Sequence, residues 1–205
     1  MIAAATTVAE VEIPISERGP SPRKVIVAYG FWLFLLSDII IFSALFAAYA
    51  VLAGQTAGGP GGAQLFHRGN VLVETGCLLV SSFTCAMMSL AVDVRQRGLM
   101  VIGAVLTLAL GAAFLWLEVS EFAGMIAHGA GPSRSAFLSA FFALVGMHGL
   151  HVTIGLCWLV SMVAQVFTLG WRPLVVGRLA CFALFWHALD IVWIGVFTIV
   201  YLGAR

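Results

Sequence analysis

The sequence predicts an all-α polytopic membrane protein, a bundle of five transmembrane helices with the N-terminus in the cytoplasm and the C-terminus outside. Three observations carry that expectation. Of 205 residues, 62% are apolar and only 9% are charged, a composition foreign to soluble domains and to disordered chains. The apolar residues fall into five runs, each long enough for the roughly 20 residues that cross a bilayer. The basic residues near the run ends are divided unevenly, with Arg18, Arg23, Lys24, Arg95, Arg97, Arg172 and Arg178 on one side and Arg68, Arg134 and Arg205 on the other. The richer side belongs in the cytoplasm.

Residues 1–27, MIAAATTVAEVEIPISERGPSPRKVIV, are polar, carry both signs of charge and include Pro14, Pro20 and Pro22. They read as a flexible cytoplasmic tail, without the short apolar core and cleavage site of a secretory signal. Residues 28–205 form the transmembrane domain, with spans at about 28–53, 71–92, 99–127, 136–166 and 179–202. A glycine-rich stretch, GQTAGGPGGAQLFHRGN, links the first two spans; DVRQRG and GWRPLVVGR are short basic links and HGAGPSRS is a turn. The third and fourth spans exceed the minimum length and can tilt. The short links leave no room for a soluble domain.

The fourth span opens from a polar turn and runs without proline or charge. Projected at about 100° per residue, Ser135, Ser139, Ala143, Gly146, Gly149 and Thr153 form one stripe, with His148, His151, Gly155 and Trp158 on the opposite side. Small stripes let helices approach closely in lipid, so this helix is expected to pack on both sides.

Ionisable side chains inside spans are costly and mark functional or helix-joining positions. They are Asp38, Glu74, Glu118, Glu121, His148, His151, His187 and Asp190. Glu74 stands about one turn inside its span and Glu118 and Glu121 near the outer end of theirs, so structural or interfacial roles are expected of all three, with access to interfacial water left open. Asp38 is expected to be deep, on the face of Phe31, Phe34, Phe42 and Tyr49, as a hydrogen-bonding group or a proton relay; both roles remain open. His187 and Asp190 are three residues apart, a local pair on one helix surface, readable as a proton-accepting pair or as a link between helices.

His148 and His151 can approach one ion, but a closed metal site needs ligands from other helices. His148 opposite His187 is the one haem-sandwich arrangement on offer, and histidines at that depth are more commonly interhelical hydrogen-bonding residues. Cys77, Cys85, Cys157 and Cys181 lie in apolar runs without metal-site spacing and read as small buried hydrophobes. The chain is therefore expected to have no catalytic residue, metal or redox centre of its own. A net charge of +1 and the absence of a basic run argue against nucleic acid as a partner.

Three strings go further: GFWLFLLSDIIIFSALFAAYAVL at 30–52, GPSRSAFLSAFFALVGMHGLHVTIGL at 131–156 and FWHALDIVWIGVFTIVYL at 185–202. They resemble subunit III of the haem-copper terminal oxidases, and are most similar to its quinol-oxidase branch, the cytochrome bo type. The resemblance covers all five spans and omits the tail and the glycine-rich link. The single span before Gly54 agrees with the five-helix form of the family rather than the seven-helix form, and Asp38 stands where the cytochrome c oxidase form carries glutamate.

The resemblance implies a non-catalytic subunit of a proton-pumping complex in the bacterial inner membrane, which oxidises quinol and reduces dioxygen to water. Outside is then the periplasm. It implies haem and copper in a partner catalytic subunit I, with subunit II and a small subunit IV as further partners. It also implies bound phospholipid and a supporting role in assembly and proton uptake. Three other readings stand beside it: subunit III of a cytochrome c oxidase or a nitric oxide reductase-associated homologue, an independent proton-coupled transporter using Asp38 and the His187–Asp190 pair, and a membrane cytochrome with its own haem.

Overall fold

The computed structural model describes residues 23–59, 61–62 and 68–203, which hold helices and no strand. The helices are α1 (Arg23–Leu52), α2 (Arg68–Asp93), α3 (Arg97–Ala127), α4 (Ala136–Leu169) and α5 (Pro173–Val196). α5 continues into a π-helical turn, Phe197–Leu202. All five are long and apolar enough to cross a membrane, as the apolar runs predict.

Two helices begin earlier than the apolar runs do. α1 starts at Arg23, directly after Pro22, so residues 23–27 of the expected tail are helical, while residues 1–22 lie outside the described residues. α5 starts at Pro173 rather than near residue 179, because proline at the first helical position loses no hydrogen bond. Arg178 therefore sits inside the helix, where its guanidinium donates to Gln165 Oε1 of α4 at 2.9 Å. A charge ends the apolar run without ending the helix, since a long basic side chain can lie along apolar surface and keep its head in a polar environment.

The turns are built from local hydrogen bonds. After α3, the amide of Ala130 donates to the Met125 carbonyl and that of Gly129 to the Ile126 carbonyl, which is the Schellman pattern that closes a helix. Ser135 then caps α4, its hydroxyl accepting from the Leu138 amide at 3.2 Å.

α2, α3, α4 and α5 pack in a closed ring, α2 on α3, α3 on α4, α4 on α5 and α5 back on α2, whereas α1 lies outside it against α4 and α5. α1 touches its neighbours through Phe31, Leu35, Phe42, Leu45 and Tyr49, which with Asp38 follow the alternating four-and-three spacing of a coiled-coil seam. Phe34, expected on that face, is exposed; the seam passes through Leu35 instead.

The ring is pinned by Trp186 of α5, which is 1% exposed. Its indole lies between two glycines of neighbouring helices: a Cβ on Gly111 of α3 or on Gly155 of α4 would come within 3.0 Å of the ring. The indole nitrogen donates to Ser81 Oγ of α2 at 3.1 Å. One side chain thus holds all four helices together.

Candidate functional site

The polar groups between the helices fall into four sets. The first joins α2 to α5. Beside the Trp186–Ser81 bond, Trp193 Nε1 donates to Thr75 Oγ1 at 3.1 Å, and Ser82 Oγ and His187 Nδ1 are hydrogen-bonded at 2.7 Å. The hydroxyls are satisfied on their other side by their own helix, Thr75 donating to the Val71 carbonyl and Ser81 to that of Leu78. Thr84 extends the set to α3, hydrogen-bonded to Thr107 at 2.8 Å. The expected His187–Asp190 pair is looser than this, with Nδ1 4.0 Å from Oδ2, beyond hydrogen-bonding distance. Ser82, one helix away, is the real partner of His187.

The second set is a carboxyl cluster. Glu74 of α2 and Glu118 and Glu121 of α3 lie within electrostatic reach of one another and of Tyr201, which the π-helical turn of α5 carries. Glu74 is 1% exposed and Glu118 3%, so of the two roles expected for them the interfacial one does not fit their burial. Distance along the chain from a helix end misleads here, because the ring closes over both side chains. Glu118 is seated on Gly149 of α4, where a Cβ would lie 2.7 Å from Oε1 and 2.8 Å from Oε2. Among the described residues no hydrogen-bond partner reaches the Glu74 carboxyl, and no cation pairs with the three acids.

The third is His148, fully buried, with neither ring nitrogen hydrogen-bonded among the described residues. Its imidazole is boxed by the rings of Phe42, Phe114 and Trp193, with centroids 6.3, 5.7 and 5.1 Å away.

The fourth joins α1 to α4. His151 Nδ1 is 2.8 Å from the Met147 carbonyl, which can only accept, so Nδ1 carries a proton. Nε2 then faces Asp38 Oδ1 at 3.9 Å, and any hydrogen bond between them needs one further proton, held by either partner. The Asp38 side chain is 16% exposed and that of His151 14%, because α1 packs outside the ring.

The small stripe of α4 is divided. Ser135 caps the helix, Gly149 receives Glu118 and Gly146 lies 3.7 Å, by its would-be Cβ, from the Phe122 ring. Ser139, Ala143 and Thr153 face outward. Cys85 is buried, Cys77 and Cys181 are half-buried and Cys157 is exposed, so Cys157 is not the buried hydrophobe expected. Among the described residues no three His, Cys, Asp or Glu side chains are grouped to hold a metal ion.

Sequence reasoning missed Thr75, Ser81, Ser82, Thr84 and Thr107 as members of these sets. A signal existed for the first four: they punctuate the otherwise apolar α2 at positions that turn toward α3 and α5.

Comparison with known proteins gives this architecture a family. A sequence model described as cytochrome c oxidase subunit III matches residues 21–204. Cytochrome bo(3) ubiquinol oxidase subunit 3 of Pseudomonas aeruginosa is 52% identical over 174 residues, 85% of this chain and 83% of that one. Quinol oxidase subunit 3 of Bacillus subtilis is 44% identical over 84% of this chain and 85% of its own length. Cytochrome bo(3) ubiquinol oxidase subunit 3 of Buchnera aphidicola (subspecies Baizongia pistaciae) is 42% identical over 84% and 89%. With a match that spans all five helices, the chain belongs to the cytochrome c oxidase subunit III family.

Proposed function

We propose that the chain is subunit III of a quinol-oxidising haem-copper oxidase, a non-catalytic membrane block attached to the subunits that carry the haems and copper. The observation that carries this reading is the 52% identity, over most of both chains, to a relative named as a bo(3) ubiquinol oxidase subunit. The use the chain makes of its polar side chains supports it: Trp186, Trp193, His187 and Ser82 tie helices together.

In this role quinol oxidation, dioxygen reduction and proton pumping are work of the complex, with subunits I and II and a small subunit IV as partners. The chain stabilises the catalytic subunit, binds phospholipid along its outer faces and supports proton uptake. Asp38 and His151, partly buried where α1 meets α4, are a pair through which the chain can support proton uptake. Glu74, Glu118, Glu121, His148 and Asp190 serve inside the bundle. The N-terminus is cytoplasmic and the C-terminus periplasmic, an orientation that the distribution of arginine and lysine favours, and the membrane is the inner one.

The test is a mild-detergent pull-down of the tagged chain from its native membrane, with the co-purifying proteins identified by mass spectrometry. Recovery with a large haem-copper subunit and a subunit II lacking a copper site is the expected result. Recovery with a copper-bearing subunit II shifts the complex to a cytochrome c oxidase, and recovery alone as a monodisperse species overturns the reading.

A further inference from the structure

His187 differs from the other ionisable groups of the spans. The side chains of Asp190, His151 and Asp38 are 7, 14 and 16% exposed and Glu74, Glu118 and His148 are buried, whereas the His187 side chain is 39% exposed on the outer surface of the bundle. Its Nδ1 is committed to Ser82, and among the described residues nothing engages Nε2. The tautomer decides whether that outer nitrogen donates or accepts, and in either case it needs a partner of its own.

Depth decides what the partner is. His187 is 14 residues from Pro173 and 15 from Leu202, so about 21 Å of helix lies on each side at roughly 1.5 Å per residue. The hydrocarbon core extends only about 15 Å from its midplane. Lipid headgroups and bulk water therefore stop short of this ring, and acyl chains offer it no hydrogen bond. An imidazole left against lipid at this level is costly. Its neighbours one turn away on α5, Leu184 and Ile191, are exposed apolar residues, Ile191 by 71%, which gives the patch a polar centre with an apolar rim.

We infer that the face of α5 and α2 centred on His187 and Ser82 docks a transmembrane helix of another oxidase subunit, which presents a polar side chain to His187 at mid-membrane depth. The inference rests on the proposed function and adds the contact surface and its chemistry.

The test uses the intact complex in native membranes. A benzophenone-bearing phenylalanine analogue replaces Ile191, one turn from His187, and in a second strain replaces Ile40, an outward residue of α1 that is 70% exposed. After irradiation, an adduct between position 191 and another oxidase chain supports the inference. Lipid adducts alone at position 191, in a chain that still co-purifies with oxidase subunits, overturn it and leave the proposed function standing. Failure of the unsubstituted chain to co-purify overturns both. As a second measurement, His187→Leu should lower retention of the chain in the complex during detergent washing by roughly threefold to twentyfold, the measured worth of one hydrogen bond between membrane helices. His187→Gln should restore part of it, and equal retention of both variants and the parent overturns the inference.

Discussion

The Trp186 indole and the Gly155 backbone meet so closely that a methyl group on the glycine would lie 3.0 Å from the ring. The contact fixes the spacing of α4 and α5, and Phe185 crowds the same position, 3.2 Å from that methyl. Gly155→Val should therefore destabilise the chain by about 1–3 kcal/mol, the usual cost of overpacking a filled core. Trp186→Ala should cost more, about 3–5 kcal/mol. Thermal unfolding in detergent, followed by loss of the folded monodisperse peak, measures both, and a Gly155→Val variant as stable as the parent would show that the seam yields freely.

The Trp186–Ser81 bond can be isolated by a double-mutant cycle. Ser81→Ala leaves a buried indole N–H without its acceptor, and Trp186→Phe removes the donor. The coupling should be on the order of 0.6–1.7 kcal/mol, the range found for hydrogen bonds between membrane helices. A coupling near zero would mean that the bond is replaced when either side is lost.

Gly149 and Glu118 should behave as a coupled pair. Gly149→Ala drives a methyl to within 2.8 Å of both Glu118 carboxyl oxygens and should destabilise by about 1–3 kcal/mol as an overpacked site. Adding Glu118→Ala opens the space that the methyl needs, so the double variant should be more stable than Gly149→Ala alone, a non-additivity expected of residues in contact. The same unfolding assay decides it, and simple additivity would count against the contact.

Asp38→Asn keeps the shape of the α1 seam and removes the titratable partner of His151. Because that seam lies outside the ring, the variant should assemble normally and keep the turnover of freshly purified complex within about twofold, a factor worth only about 0.4 kcal/mol of activation free energy. If Asp38 supports proton uptake, it should inactivate faster over repeated turnovers. Unchanged pumping, turnover and inactivation rate would assign the residue to packing alone.

The positive-inside pattern predicts sidedness. A cysteine in place of Ser133, between α3 and α4, should react with a membrane-impermeant maleimide added to intact spheroplasts. One in place of Gln96, between α2 and α3, should react only after lysis, and the reverse result would invert the topology.

The five helices were legible because apolar runs of bilayer length have few other readings, and Asp38 was legible on the face of Phe31, Phe42 and Tyr49 because those positions share one side of a helix. Where a helix ends was less legible: Pro173 and Arg178 look like a link by composition, yet a proline at the first turn and a snorkelling arginine both fit inside α5. The partners of the polar groups were not legible. Whether Glu118 meets water or Gly149, and whether His187 turns to Asp190 or Ser82, depends on which helices close the ring, and that is set by contacts among residues over a hundred positions apart. The hydroxyls of α2 were overlooked for a related reason. Thr75 and Ser81 donate to carbonyls of their own helix, so they are tolerated in an apolar run and do not disturb its pattern.

The position of α1 outside the ring has a consequence for biosynthesis. α1 packs against the last two helices described, and 120 residues lie between Leu52 and the start of α5 at Pro173. At about 5–20 residues per second, α1 spends roughly 6–24 s in the bilayer before its second neighbour is made. During that interval α2, α3 and α4 are made, so α2–α3, α3–α4 and α1–α4 packing can form, whereas closure of the ring and the α1–α5 contact wait for α5. α1 therefore spends that time with one of its two contact surfaces unfilled, and its packing is complete only once α5 has been made.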